Sequence, residues 1–220
     1  MRIGVLGGTG PEATAEFYRK LIVRLQSNGV KSNTDFPQII INSIPAPEII
    51  DHHATLEELA FYLDGLKELD SFGVDFIVMV CNTIHIYHEF LQDRVNTHII
   101  DLRKYVLQRL RNEKIKSLLI LGTRGTIESG LYEFDDISTV RPSEEEINYI
   151  AKIVSDFNRG IREEKKLIEI CRKHADRIDC VLFGCTEIAI LLDSIDVKKI
   201  NTIDVLVEAT INSINIEQDK

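Results

Sequence analysis

Short apolar runs alternate along the chain with stretches in which apolar residues recur every three or four positions. Residues 2–6 form the first run and open onto Gly7-Gly8-Thr9-Gly10-Pro11, after which Phe17, Leu21, Ile22 and Leu25 take up helical spacing. Proline suits a first helical position and an acidic side chain complements the positive helix end, so Pro11 and Glu12 mark a helix start. A second strand is predicted over residues 37–44 and is broken by Pro45-Ala46-Pro47. The Thr55 and Glu58 capping box opens a helix that runs through Phe72 and stops at Gly73. The apolar run Ile77-Val78-Met79-Val80 then ends in Cys81-Asn82-Thr83, followed by a short helix past Leu91, a strand over 97–100 and a helix over 102–110.

The second half repeats the layout. A strand over 117–121 opens onto Gly122-Thr123-Arg124-Gly125-Thr126, a Ser143 and Glu146 capping box starts a helix through Phe157, and Gly160 separates it from a helix over 163–175. Val181-Leu182-Phe183-Gly184 ends in Cys185-Thr186-Glu187, and a strand over 197–202 and a helix over 205–214 close the chain. Each half therefore reads as a glycine-turn strand, intervening elements and a cysteine strand, which implies an internal duplication. Strands alternating with helices predict an α/β fold: two similar, pseudo-symmetric Rossmann-like lobes with parallel sheets and an active site in the cleft between them. The expected lobes are 1–100 plus 203–220, carrying Cys81, and 101–202, carrying Cys185, with the last helix crossing back to the first lobe.

Composition narrows the partner. The 220 residues hold 26 basic and 35 acidic side chains, a net charge of −9, which leaves no concentrated basic face for nucleic acid. No 18-residue apolar stretch and no signal-peptide core is present, so a cytoplasmic protein without a membrane span is expected. The four cysteines include no C-x-x-C pair, which disfavours zinc, and Cys171 and Cys180 read as buried, inert thiols. His52 and His53 are adjacent, so their side chains diverge and no metal is expected there; His98 and His174 join no constellation. No G-x-S-x-G elbow exists for a serine hydrolase, and the first glycine turn lacks dinucleotide spacing. That turn suits an anion or carboxylate instead.

The two cysteine strands carry the chemistry. A buried parallel strand delivers its last residue to the carboxyl edge of the sheet, where ligands bind in open α/β folds. Asn82 and Thr83, and likewise Thr186 and Glu187, stand at new helix starts, so each thiol is expected beside a positive helix end that favours thiolate below the ordinary pKa of about 8.5. His85 and His88 lie one turn on from Cys81, where they would tune or orient it. Two such thiols facing one substrate are suited to removing a proton from one side and returning one from the other.

The segments Ile3-Gly4-Val5-Leu6-Gly7-Gly8-Thr9-Gly10-Pro11, Cys81-Asn82-Thr83-Ile84-His85, Leu121-Gly122-Thr123 through Thr126, and Gly184-Cys185-Thr186-Glu187 resemble, in order and across nearly the whole chain, the aspartate/glutamate racemase family. The resemblance implies a cofactor-independent amino-acid racemase, with no metal or pyridoxal phosphate, often a homodimer, in which Cys81 and Cys185 are the acid/base pair. It further implies that Asn82, Thr83, Thr123 and Thr186 hold the substrate carboxylate, that Gly8 and Thr9 close the pocket, and that Thr126 and Glu187 stand with them. Aspartate racemases of this kind place an arginine in the loop after the second strand, whereas this chain has Pro45-Ala46-Pro47-Glu48. Side-chain recognition then falls to Glu48, Asn158, Arg159, Arg162 or Arg124, with an acidic amino acid as first-choice substrate and a neutral or basic one as the alternative. A related cysteine-dependent isomerase or decarboxylase would use the same frame with one thiol dominant. A small-molecule-binding α/β protein with buried thiols would turn nothing over.

Overall fold

The computed structural model describes the backbone of residues 1–218 and the side chains of residues 1–214. The first half runs β1 (Arg2–Gly7), α1 (Pro11–Ser27), β2 (Gln38–Ser43), α2 (Leu56–Ser71), β3 (Phe76–Met79), α3 (His88–Gln92), β4 (His98–Ile99) and α4 (Leu102–Asn112). The second runs β5 (Ser117–Gly122), α5 (Arg124–Glu128), β6 (Ser138–Val140), α6 (Glu144–Asn158), α7 (Lys165–His174), β7 (Cys180–Gly184), α8 (Thr186–Leu191), β8 (Lys199–Asn201) and α9 (Thr202–Gln218). Residues 219 and 220, assigned to the first lobe on sequence grounds, lie outside the described residues.

Each half forms a four-stranded sheet, ordered β2-β1-β3-β4 and β6-β5-β7-β8, so the same path is traced twice. All neighbours are parallel; Val5 lies opposite Ile41 and Val78, and Leu119 opposite Val140 and Val181. Alternation along β1 sends Ile3 and Val5 to a cluster with Phe17 and Leu21 of α1, and Leu6 to the opposite face with Leu66 of α2. The first cluster continues into the second sheet through Leu119 and Leu182, so one core spans both lobes. Helix α9 packs against α1 and α4. Lys20 pairs with Asp204 at 2.7 Å and Arg109 with Glu208 at 2.8 Å along those contacts.

Both predicted capping boxes form, Thr55 with Glu58 and Ser143 with Glu146, and each sets the first turn of its helix. The helix expected from Asn82 starts instead as a 3-10 turn, Thr83–Tyr87, before α3. Strand β6 has no counterpart in the sequence reading: Ser138-Thr139-Val140 is a three-residue edge strand without an apolar run. Among the described residues, no helix is long and apolar enough to cross a membrane.

Candidate active site

A cleft collects the residues that follow five strands: Thr9 and Gly10 after β1, Glu48 after β2, Cys81 to Thr83 after β3, Thr123 after β5, and Cys185 to Glu187 after β7. Parallel strands release their next residues on one side, which is why distant segments meet here. Helix α6 adds Val154 and Asn158 from its last turns, and Ile49, Ile50 and Tyr62 complete the first-lobe wall. Both cysteines line this cleft, Cys81 half-buried and Cys185 only 3 % exposed.

The thiols are not held as resting thiolates. Burial pushes the Cys81 thiol up to about 11, although the backbone N–H groups of Ile84 and Thr83 and the Thr9 hydroxyl pull it down. Burial also pushes the Cys185 thiol well up from its ordinary value, and the Glu187 charge adds to it. The expected thiolate below the ordinary range is thus corrected: at both sulfurs the burial cost outweighs the amide dipoles. Cys185 Sγ donates to Glu187 Oε2 at 2.9 Å, and Thr186 Oγ1 donates to the same oxygen at 3.0 Å. Burial raises the Glu187 carboxyl itself, with the Glu48 charge contributing in the same direction.

Glu187 reaches the first lobe through a gap that only glycine leaves. Gly10 sits at φ +91°, and a Cβ there would lie 2.3 Å from Glu187 Oε1. Gly8, at φ +96°, lies against Ile44, and its N–H donates to Thr14 Oγ1 at 3.1 Å while Thr14 donates to the Gly10 carbonyl. Gly8 therefore shapes the loop but does not line the cleft, and Thr14, which the sequence reading missed, fastens it.

Hydroxyls join the lobes at the cleft floor. Thr83 Oγ1 lies 2.9 Å from Thr123 Oγ1 and 3.2 Å from Thr126 Oγ1, and Thr123 donates to Thr126 at 3.1 Å. Asn82 caps no helix: its amide nitrogen donates to Thr202 Oγ1 at 2.9 Å and its carbonyl accepts from the Tyr132 hydroxyl. Tyr132, after α5, and Thr202, the first residue of α9, belong to no motif of the two cysteine strands; Thr202 also donates to the Phe183 carbonyl at 2.7 Å, which ties Asn82 to β7.

Several predicted residues lie elsewhere. Arg124 is paired with Glu128 and Glu144, both at 2.7 Å, Arg159 lies 3.7 Å from Asp156, and Arg162 pairs with Glu12 and stacks over Phe157. None of the three arginines lines the cleft; each is paired with a carboxylate that is not among the lining residues. Asn158 does line it, donating from Nδ2 to Glu48 Oε1 at 2.8 Å across the mouth. His85 and His88 face away from Cys81: the His85 and His88 Nε2–H groups point at the Met79 and Ile99 carbonyls, 3.4 and 3.0 Å away. Burial pushes His85 down to about 3, so it stays neutral. His52 bonds Glu58 at 2.9 Å, supporting the α2 cap. Cys171 and Cys180 are buried away from the cleft, Cys180 at the opposite end of β7 from Cys185, and burial pushes their thiols up to about 11 and about 12.

A duplicated α/β frame with one cysteine from each half in a shared cleft defines a class of two-lobed proteins. The sequence profile of the Asp/Glu/hydantoin racemase family matches residues 6–210, and the chain belongs to that family of isomerases. It is 25 % identical over 201 residues, 88 % of each chain, to the broad specificity amino-acid racemase RacX of Bacillus subtilis (strain 168). Its fold matches an aspartate racemase from Picrophilus torridus, with a TM-score of 0.78, 23 % identity and 96 % and 93 % of the two chains covered. It also matches the glutamate racemase of Francisella tularensis subsp. tularensis SCHU S4, solved with D-glutamate, at TM-score 0.70, 19 % identity and 99 % and 82 % coverage.

Proposed function

We propose that this protein interconverts the enantiomers of an amino acid with two thiols and no cofactor. The observation that carries this reading is that Cys81 and Cys185, from equivalent strands of the two halves, line one cleft. One sulfur, as thiolate, takes the α-proton while the opposite thiol gives its proton to the other face of the same carbon; the reverse reaction exchanges their roles. Glu187 supplies the local acceptor for the Cys185 proton, since its Oε2 already receives that S–H. Around Cys81, the Thr9 hydroxyl and the Thr83 and Ile84 amides stabilise the anion.

The threonines supply the remaining part. Thr83, Thr123 and Thr126 satisfy one another. A substrate carboxylate offers stronger, charge-assisted acceptors, so the cleft-lining hydroxyls of Thr83, Thr123 and Thr186 turn toward it and hold the enolate-like charge that develops on proton removal, while Thr126, which is buried and does not line the cleft, backs Thr83 and Thr123. Asn82 is held for this purpose by Tyr132 and Thr202, and retains one free amide hydrogen. The expected preference for an acidic amino acid finds no counter-charge, because no lysine or arginine stands among the described lining residues. Incubating the purified protein with single L- and D-amino acids, without added cofactor, and separating enantiomers on a chiral column tests the reading. The opposite enantiomer should accumulate for part of the panel and should vanish on thiol alkylation; a panel that stays enantiopure contradicts it.

A further inference from the structure

We infer that the cleft accepts an amino acid with a long side chain ending in a cation, and that Glu48 is the residue that selects it. This rests on the racemase reading of the same cleft. Glu48 lines the cleft from within the loop between β2 and α2, and Asn158 holds one of its carboxylate oxygens from the other lobe. Among the described residues it forms no ion pair, while the arginines of the surrounding surface are bound to other carboxylates: Arg162 to Glu12, Arg159 to Asp156, and Arg124 to Glu128 and Glu144. A carboxylate that keeps an unpaired oxygen at the mouth of a substrate cleft is a receptor for a cationic tip.

The wall leading to it fits the rest of such a substrate. Ile49, Ile50 and Val154 are apolar, and Tyr62 spends its hydroxyl proton on the Pro47 carbonyl at 2.8 Å, so this side offers contact for a methylene stem rather than hydrogen bonds. Strand order matters too. β1 lies between β2 and β3, so the loop bearing Glu48 leaves the sheet two strand positions from Cys81, roughly 10 Å at ordinary strand spacing. A side chain of several carbons spans that offset with its α-carbon between the thiols. An aspartate or glutamate side chain would instead add a further carboxylate to a cleft that already holds Glu48, Glu187 and the substrate's own α-carboxylate.

The test compares near-isosteric pairs that differ in charge: lysine with norleucine, arginine with citrulline, and glutamate with glutamine. Wild-type kcat/KM should favour lysine over norleucine and arginine over citrulline by at least about tenfold, the effect of one charge-assisted hydrogen bond. Glu48→Gln should collapse both ratios toward one, and Glu48→Lys should turn the order against the cations. Glu48 is exposed, so both variants should fold, which a thermal melt verifies. Racemisation of any amino acid with no cationic preference, or with ratios that ignore both substitutions, overturns the inference and leaves the racemase reading standing. No racemisation of any panel member overturns both.

Discussion

Cys81 and Cys185 end equivalent strands of two sheets that follow the same path, yet their surroundings differ. Cys81 is half-buried, its sulfur met by backbone amides and a threonine hydroxyl, with its pKa pushed up to about 11 by burial. Cys185 is 3 % exposed, its thiol is likewise raised by burial, and it shares its proton with a buried carboxylate two residues on. The corresponding position in the first half, two residues after Cys81, is Thr83, which bonds to the second lobe instead. Duplication therefore gives both sulfurs backbone amides from the residues two and three positions on, Thr83 and Ile84 for Cys81 and Glu187 and Ile188 for Cys185, while the side chains set them apart: a threonine hydroxyl for the first, a carboxylate acceptor for the second.

The largest effects come from removing either partner of the pair. Cys81→Ser and Cys185→Ser should each lower racemisation by about 10³-fold, within the range of a lost acid/base group, as read by chiral chromatography. A variant pair with one near-wild-type member would break the comparison and favour an isomerase or decarboxylase with a single dominant thiol. Next in size is Glu187→Gln, which keeps a hydrogen-bonding group but removes the proton acceptor. About a ten- to hundredfold loss of kcat is expected, with the fold unchanged by circular dichroism. Gly10→Ala reaches the same carboxylate from the other lobe, where its methyl would displace Oε1, and should lower kcat in the same direction.

A smaller effect sharpens the asymmetry without mutation. Iodoacetamide followed by peptide mass analysis should label Cys81 about tenfold faster than Cys185, since the first is more open and the second is buried with its proton held on Glu187. The sign of the pH dependence follows from the upward shift. Thiolate is lost as pH falls, so labelling of Cys81 should climb about tenfold per pH unit until the pH approaches its pKa of about 11. A plateau by neutral pH would mean that the resting enzyme holds a thiolate after all.

Much of this architecture was legible from residue order. The alternation of apolar runs and helical spacings, the two capping boxes, and the paired glycine-turn and cysteine strands gave the layout, because those signals are local. β6 escaped because a short edge strand needs no apolar run, and the thiol electrostatics escaped because desolvation depends on what the other lobe packs over the sulfur. Arg124, Arg159 and Arg162 illustrate the same limit: a sequence gives their charge, but the carboxylate that claims each is set by tertiary position. Tyr132, Thr14 and Thr202 matter only through the residues they hold, so no motif contains them.

The central claim is that two sulfurs work on opposite faces of one carbon, and isotope placement in the first few per cent of turnover tests it most directly. The protein is incubated with one enantiomer of a turned-over amino acid in deuterium oxide, and both enantiomers are recovered and analysed by mass. Two separate groups predict a product that carries solvent deuterium at the α-carbon while the remaining substrate keeps its protium. A product that retains protium, or a substrate pool that deuterates as fast as product forms, would show a single group serving both faces and would contradict the account.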